Sequence, residues 1–394
     1  MKLDNRTFTL TDRGSFGKWA LACGILGLIL TVIGYFVNPA RMFNSYLVSF
    51  GFWTTLGLGA LFFVMLHHLT NATWSVVLRR LVETFMAVLP YMVIFVLPVL
   101  LNLNELYRWS RPEAVMQDHL LQHKAPYLND WFFILRTGLY FAAWFIMARS
   151  LYRTSLAQDS GFDKKQVEKF RKISAPGMVL FALTITFAGF DWFMSQDPDW
   201  YSTIFGVYIF SGGLVSILAF ITLSTLILRR RGVLSDSLTG EHYHDLGKLT
   251  FAFVVFWGYI AFSQYFLIWY ANIPEETTWF HHRYQGGWES VSLLMVFGYF
   301  VVPFVALISR GPKRSRAVMA VIAAWLLVMH WVDLYWIVMP NYSSHQASIS
   351  WMDLAAMLLV GGFYLWMFWR KFSSRPVVPV GDPRLEASIN FVSG

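Results

Sequence analysis

The stretch Ser174–Phe193, SAPGMVLFALTITFAGFDWF, decides the fold. It carries one charged side chain, Asp191, and its apolar residues do not alternate with polar ones. Crossing a bilayer takes about 20 residues of helix, and lipid offers the backbone no hydrogen-bond partner. Such a run therefore spans as a helix rather than as a strand of a barrel. Nine more runs share the pattern. The sequence thus predicts an all-α integral membrane protein of ten transmembrane helices. The spans are Trp19–Val37, Tyr46–Leu69, Thr84–Leu103, Trp131–Tyr152, Ser174–Phe193, Ile204–Leu228, Leu249–Ile273, Ser290–Ser309, Ala317–Met339 and Ser350–Phe372. Composition agrees. Charged residues are 14% of the chain, against about 25% in soluble proteins, and the mean hydropathy is +0.49. No soluble domain fits between the spans, so residues 1–394 read as a single polytopic domain.

Working outward from the spans, the charges sort by side. Of the 31 Lys and Arg, 25 fall on the side that holds the N-terminus, in the tails and the inner connections. This count takes Arg79 and Arg80 as loop residues. The other side holds Arg41, Arg108, Arg111, Lys124, Arg136 and Arg283. The positive-inside rule then predicts both termini in the cytoplasm. The net charge of +8 is a topology signal and calls for no nucleic acid. The single Cys23 excludes an internal disulfide and a cysteine-held iron–sulfur cluster in this chain. The first span is too long for a signal h-region and reads as a retained anchor. In the longest inner connection, Asp163 and Gln166 stand at capping-box spacing and predict a short basic surface helix. Asn71-Ala72-Thr73 faces inward, where its glycosylation pattern has no meaning.

An internal repeat is visible. Asp191 precedes Pro198 by seven residues at the outer end of span five, and Asp333 precedes Pro340 by seven at the outer end of span nine. Gly138-Leu139-Tyr140-Phe141 and Gly298-Tyr299-Phe300 are weaker companions in spans four and eight. Two tandem four-helix bundles follow, spans two to five (46–193) and six to nine (204–339), flanked by spans one and ten. An even number of spans per unit gives both the same orientation, related by an axis along the membrane normal.

Ionisable side chains at membrane depth are functional candidates by default. Residues at helix ends are set aside first. Asp197 and Asp199 flank Pro198, Ser350 and Asp353 have capping-box spacing, and Asp130 and Glu289 sit in first turns that favour anions. Those that remain are Arg136, Asp191, His330, Asp333, Gln264, His67 and His68. Counted at about 1.5 Å per residue, Arg136, Asp191 and Asp333 share an outer level. His330 and Asp333, three apart, share a helix face.

Two readings of this outer set stay open. One is structural, with an Arg136–Asp191 pair and a His330–Asp333 pair fastening helices. The other is a quinol pocket, in which Asp191, His330 and Asp333 accept the hydroxyl protons. Arg136, Trp192 and Trp336 would then shape the wall. His67, His68 and Gln264 form a candidate proton path from the inner side. Haem ligation by these histidines is the weaker alternative. His119 and His123 have metal-like spacing but fit an amphipathic surface turn, so no metal site is expected.

The run from Phe190 through Asp191-Trp192-Phe193-Met194-Ser195-Gln196-Asp197-Pro198-Asp199-Trp200-Tyr201-Ser202-Thr203-Ile204-Phe205 to Gly206 resembles a signature of the large membrane subunits of bacterial alternative complex III. These belong to the NrfD/polysulfide-reductase membrane-subunit superfamily. The layout of spans agrees with it. The segment Lys124-Ala125-Pro126-Tyr127-Leu128-Asn129-Asp130-Trp131 is more similar to the second, ActF-type paralogue. The resemblance implies a bacterial inner-membrane complex that oxidises quinol and passes electrons to cytochrome c or another periplasmic acceptor. It implies as partners a homologous NrfD-like subunit, a periplasmic iron–sulfur subunit and haem c subunits, besides lipid. It implies no redox cofactor in this chain, with quinone or quinol the one candidate ligand, and Asp191 as the matching residue. Asn104–Asp130 and Ile273–Glu289 would face the periplasmic subunits. Scaffolding with proton conduction is the leading expectation, direct quinol oxidation the alternative, and secondary transport a third.

Overall fold

The computed structural model describes residues 2–4, 8–161, 163–235, 237–344 and 346–392. Ten helices are long and apolar enough to cross a membrane. They are α1 (Phe16–Val37), α2 (Pro39–Leu69), α3 (Val76–Leu101), α4 (Asp130–Gln158), α5 (Lys164–Trp192), α6 (Phe205–Arg230), α7 (Gly240–Ala271), α8 (Trp288–Leu307), α9 (Arg316–Tyr342) and α10 (Trp351–Phe372). Each expected span has its helix, and several helices run past the apolar stretch at one or both ends. The chain is all-helical apart from Lys2–Asp4 and Thr9–Asp12, which pair as a two-stranded antiparallel hairpin.

Helix limits follow local chemistry. Asn38 caps α2 by accepting from the Arg41 N–H, with Pro39 in the first turn, where a missing N–H costs nothing. Asp163 and Gln166 do form a capping box, but the basic segment after them is not a separate surface helix. It is the first part of α5, which continues through Pro176. Apolar periodicity marks only the lipid-depth part of a helix, so the polar extension was invisible to it. α3 is interrupted by a 3-10 turn at Leu89–Tyr91, where Pro90 cannot donate to the preceding turn. In α8, Met295–Val301 is π-helical, with one extra residue in the turn.

Exposure separates centre from periphery. The most apolar window of α2 is 94% buried and that of α6 is 78%, whereas those of α1, α7 and α8 are 22–28% buried. α2 and α6 cross at glycine: a Cβ on Gly59 would lie 2.5 Å from the Gly213 carbonyl oxygen, so no larger residue fits. Small residues at such crossings let backbones meet closely where lipid gives helices no hydrophobic drive to associate. Both central helices touch α5 and α9. α1 lies along α10, again through glycines, since a Cβ on Gly362 would meet the Gly24 backbone at 2.3 Å.

One end of the bundle is capped by the chain's own extremities. The Val377 N–H donates to the Phe8 carbonyl, so the N-terminal hairpin and C-terminal tail meet there. Ser388 accepts from the Val77 N–H and donates to the Trp74 carbonyl. Beneath the tail lies a buried ionic cluster. Arg79 bonds Asp382 (2.5 Å), Gln158 and Glu83, while Arg80 bonds Asp159 (2.7 Å). Arg384 completes three cations against three carboxylates. Arg79 and Arg80 are therefore buried helix residues of α3, not loop residues.

Candidate functional site

The two aspartates of the repeat differ in their partners. Asp191, on α5, is fully buried. Arg136, on α4, grips both its oxygens: Nε donates to Oδ2 (2.8 Å) and Nη2 to Oδ1 (2.9 Å). Tyr140 donates to Oδ2 as well (2.6 Å). The guanidinium also donates to the Tyr127 carbonyl and lies over the rings of Tyr127 and Phe132 at 3.8 and 4.3 Å. This is a bidentate pair in which both carboxylate oxygens are bonded. Trp192 stacks on Phe141 and donates to the Thr137 hydroxyl, filling space beside the pair. Sequence reasoning anticipated the pair itself.

The expected His330–Asp333 pair is absent. His330 Nε2 lies 2.9 Å from the Thr55 hydroxyl on α2. That hydroxyl also lies 2.8 Å from the Gly51 carbonyl. The other ring nitrogen, Nδ1, is buried without a hydrogen-bond partner among the described residues. Asp333 instead accepts from the Tyr208 hydroxyl on α6 and from Trp257 Nε1 (3.3 Å) on α7. It is 2% exposed, and no Arg or Lys among the described residues bonds it. The residues share a helix face as expected, but α6 approaches that face at Gly212. A Cβ there would meet His330 Nδ1 at 3.1 Å and Asp333 Oδ2 at 3.3 Å, so neighbouring helices supply the partners.

A cavity of about 460 Å³ opens beside the donors to this carboxyl. Tyr208 and Trp257, the two donors to Asp333, line it, and so do Gln264, Tyr265, Met295 and Trp336. Its volume falls in the roughly 300–1,000 Å³ range of small-molecule sites. Gln264 Oε1 accepts from Ser202, which leaves its NH2 group without a partner among the described residues. Trp336 Nε1 donates to Ser292. Beyond the cavity lies Arg283, fully buried, which donates to the carbonyls of Trp336, Ile337 and Trp279 and stacks 3.4 Å over Trp279. Burial pushes its guanidinium down to about 9, with Asp197 opposing.

Lys124 donates to the Pro198 carbonyl. The Tyr299 hydroxyl is buried without a partner among the described residues. Tyr208, Trp257 and Met295 are the site residues that sequence reasoning missed. For Tyr208 and Trp257 no signal exists, because apolar helices full of aromatics do not say which ring meets an acid.

The proposed inner path is not brought together. His67 Nδ1 donates to the carbonyl of Phe63, one turn back on its own helix, and the ring stacks on Phe63. His68 stacks on Phe170 at 3.8 Å and approaches Glu83 of the ionic cluster. Gln264 is elsewhere, bonded to Ser202 at the cavity. His119 and His123 are exposed on a one-turn-scale helix, His119–Lys124, capped by Asp118. No group of three or more His, Cys, Asp or Glu that could hold a metal occurs among the described residues.

No family model matches the chain, and no match was found among curated proteins.

Proposed function

We propose that this chain is a membrane subunit of a bacterial quinol:periplasmic-acceptor oxidoreductase, of the alternative complex III type that its signature run resembles. In this reading it sits in the inner membrane with both termini in the cytoplasm, and has no redox centre of its own. Electrons pass through iron–sulfur and haem c partners beside an NrfD-like paralogue. This chain braces the assembly and exchanges protons at Asp333. The observation that carries the reading is Asp333 itself. It is a buried carboxyl with hydrogen bonds from Tyr208 and Trp257, no cationic partner among the described residues, and a cavity beside its donors. Burying such a group is costly, and in membranes these groups mark proton relays. Asp191 suits the bracing role, because its charge is neutralised in place by Arg136. The contacts of α2 and α6 with both α5 and α9 suit two units, 46–193 and 204–339, about an axis along the membrane normal. Meeting of the tails at one end suits the shared side of the termini.

The assembled complex tests this. Asp333→Asn keeps the shape and one accepting oxygen but cannot take up a proton as a carboxylate does. The expected result is an intact complex with slowed quinol:cytochrome c turnover or altered proton release per electron. Wild-type turnover and proton release in that variant would sink the assignment.

A further inference from the structure

We propose that the groove beside the Trp192 end of α5 is a binding site for an aminophospholipid, a lipid whose headgroup carries both a phosphate and a primary ammonium. The groove encloses about 420 Å³ between that end of α5, the turn that follows it and the connection that leads into α4. It lies at the end of the bundle away from the chain termini. Two opposite charges line it, and neither is neutralised there. Lys124 donates to the Pro198 carbonyl (2.5 Å), which uses one of its three ammonium hydrogens, and no carboxylate pairs with it among the described residues. Asp197 precedes that carbonyl in the chain. It caps no helix, because α6 begins only at Phe205, and it forms no ion pair among the described residues. Burial raises its carboxyl, with Arg283 opposing. Opposite charges that share a groove without bonding each other leave both to a ligand that carries both signs, because a charge taken out of water needs a partner.

The remaining lining says that the ligand is a lipid. Trp200 is 2% exposed, and its Nε1 has no partner among the described residues, which suits a phosphate oxygen held with Lys124. Two other polar side chains are already engaged within the chain. The Ser195 hydroxyl donates to the Asp191 carbonyl, and the Arg136 guanidinium lies over the Tyr127 ring. His123 and Tyr201, both exposed, complete the polar part. The apolar wall is Phe187, Phe190 and Met194. Phe187 continues a stripe along α5 at every fourth residue, in which Val179, Leu183 and Phe187 are 65%, 54% and 42% exposed. In a membrane that stripe meets lipid and gives an acyl chain a track out of the groove, for which a small water-soluble zwitterion has no use. The site is separate from the cavity beside Tyr208 and Trp257. It rests on the ten membrane helices and not on the proposed function.

The test is native mass spectrometry of the delipidated full chain in detergent, titrated with dioctanoyl phosphatidylethanolamine and read at the first lipid bound. Saturable binding is expected, roughly tenfold tighter than for two lipids of the same chain length, the size of one hydrogen bond to a charged group. These are phosphatidylglycerol, which has no ammonium, and phosphatidylcholine, whose ammonium has no hydrogen to donate. Asp197→Asn is expected to erase the preference over phosphatidylglycerol, and Lys124→Gln to weaken all three lipids roughly tenfold. Should Lys124→Gln fail to fold, Asp197→Asn, which keeps the shape of the side chain, carries the test. Absence of saturable binding, or binding indifferent to both substitutions, overturns the site. Equal affinity for the three lipids, or a preference for phosphatidylglycerol, overturns the ammonium assignment. Free phosphoethanolamine bound as tightly as the lipid overturns the role of the apolar wall. Failure of the proposed function shows differently, as normal proton release by Asp333→Asn in the complex.

Discussion

Arg136 grips Asp191, whereas Asp333 takes its hydrogen bonds from Tyr208 and Trp257, and that difference separates the two buried aspartates. Asp191 has both oxygens held by a guanidinium, so its charge is compensated where it lies. Taking one partner of such a pair away leaves a bare charge in the core, which typically costs about 3–5 kcal/mol. Arg136→Ala is therefore expected to lower the thermal unfolding temperature sharply, while Arg136→Met combined with Asp191→Leu recovers much of the loss. A thermal melt of the detergent-solubilised variants reads this. Equal destabilisation by the single and double changes would contradict the pair. The sequence showed Arg136, Asp191, His330 and Asp333 as groups that needed partners. It did not show that Asp333 turns to Tyr208 and His330 to Thr55, because those partners sit on α6 and α2, far away in the chain.

At the scale of elements, α5 and α9 carry the same Asp-to-Pro spacing yet end differently. α5 stops at Trp192, before Pro198, whereas α9 runs through Pro340 to Tyr342. Proline at position 340 has no N–H for the Trp336 carbonyl one turn back. Arg283 Nε supplies it at 3.1 Å and holds the neighbouring Ile337 carbonyl at 2.8 Å. Arg283 is thus a donor to a proline-broken ladder, and this accounts for a fully buried guanidinium that bonds no carboxylate among the described residues. Arg283→Leu is expected to destabilise the chain by about 1–3 kcal/mol by orphaning that carbonyl. Adding Pro340→Ala returns a backbone donor, so the double variant should lose less than Arg283→Leu alone. The coupling is measured in a double-mutant cycle of thermal stability. Additive losses would remove the explanation. The proline was legible as a helix-end signal, and the continuation past it was not, since the rescuing side chain comes from the preceding connection.

For the whole molecule, the capped end joins chain segments that are remote in sequence. Burial raises the Asp382 carboxyl, but Arg384 and Arg79 outweigh it and hold it down to about 2. A carboxyl lowered in the folded state adds stability above its unfolded value of about 3.9, and this is lost as pH falls toward the folded value. Tail docking should therefore weaken between about pH 4 and pH 2, with faster amide exchange at Val377 and Ser388. Asp159, whose carboxyl burial pushes up against the pull of Arg80, works in the opposite sense, so the effect belongs to the tail and not to the global melt. Asp382→Asn should reproduce the loosening at neutral pH. Unchanged exchange in that variant would show that the tail is held by Ser388 and its apolar contacts instead. The sequence counted Arg79 and Arg80 as topology charges because charge next to an apolar run looks the same whether it meets water or a buried acid.

The sequence by itself determined the ten helices, because lipid permits few ways to satisfy a backbone and the apolar runs are long enough to be read one at a time. It also determined which side chains had to be accounted for inside them. Which of those are closed pairs and which border a cavity was decided only in three dimensions. A hydrogen bond takes its partner from whatever helix comes within about 3 Å, and here that proximity is fixed by glycine crossings between α2 and α6 and between α6 and α9.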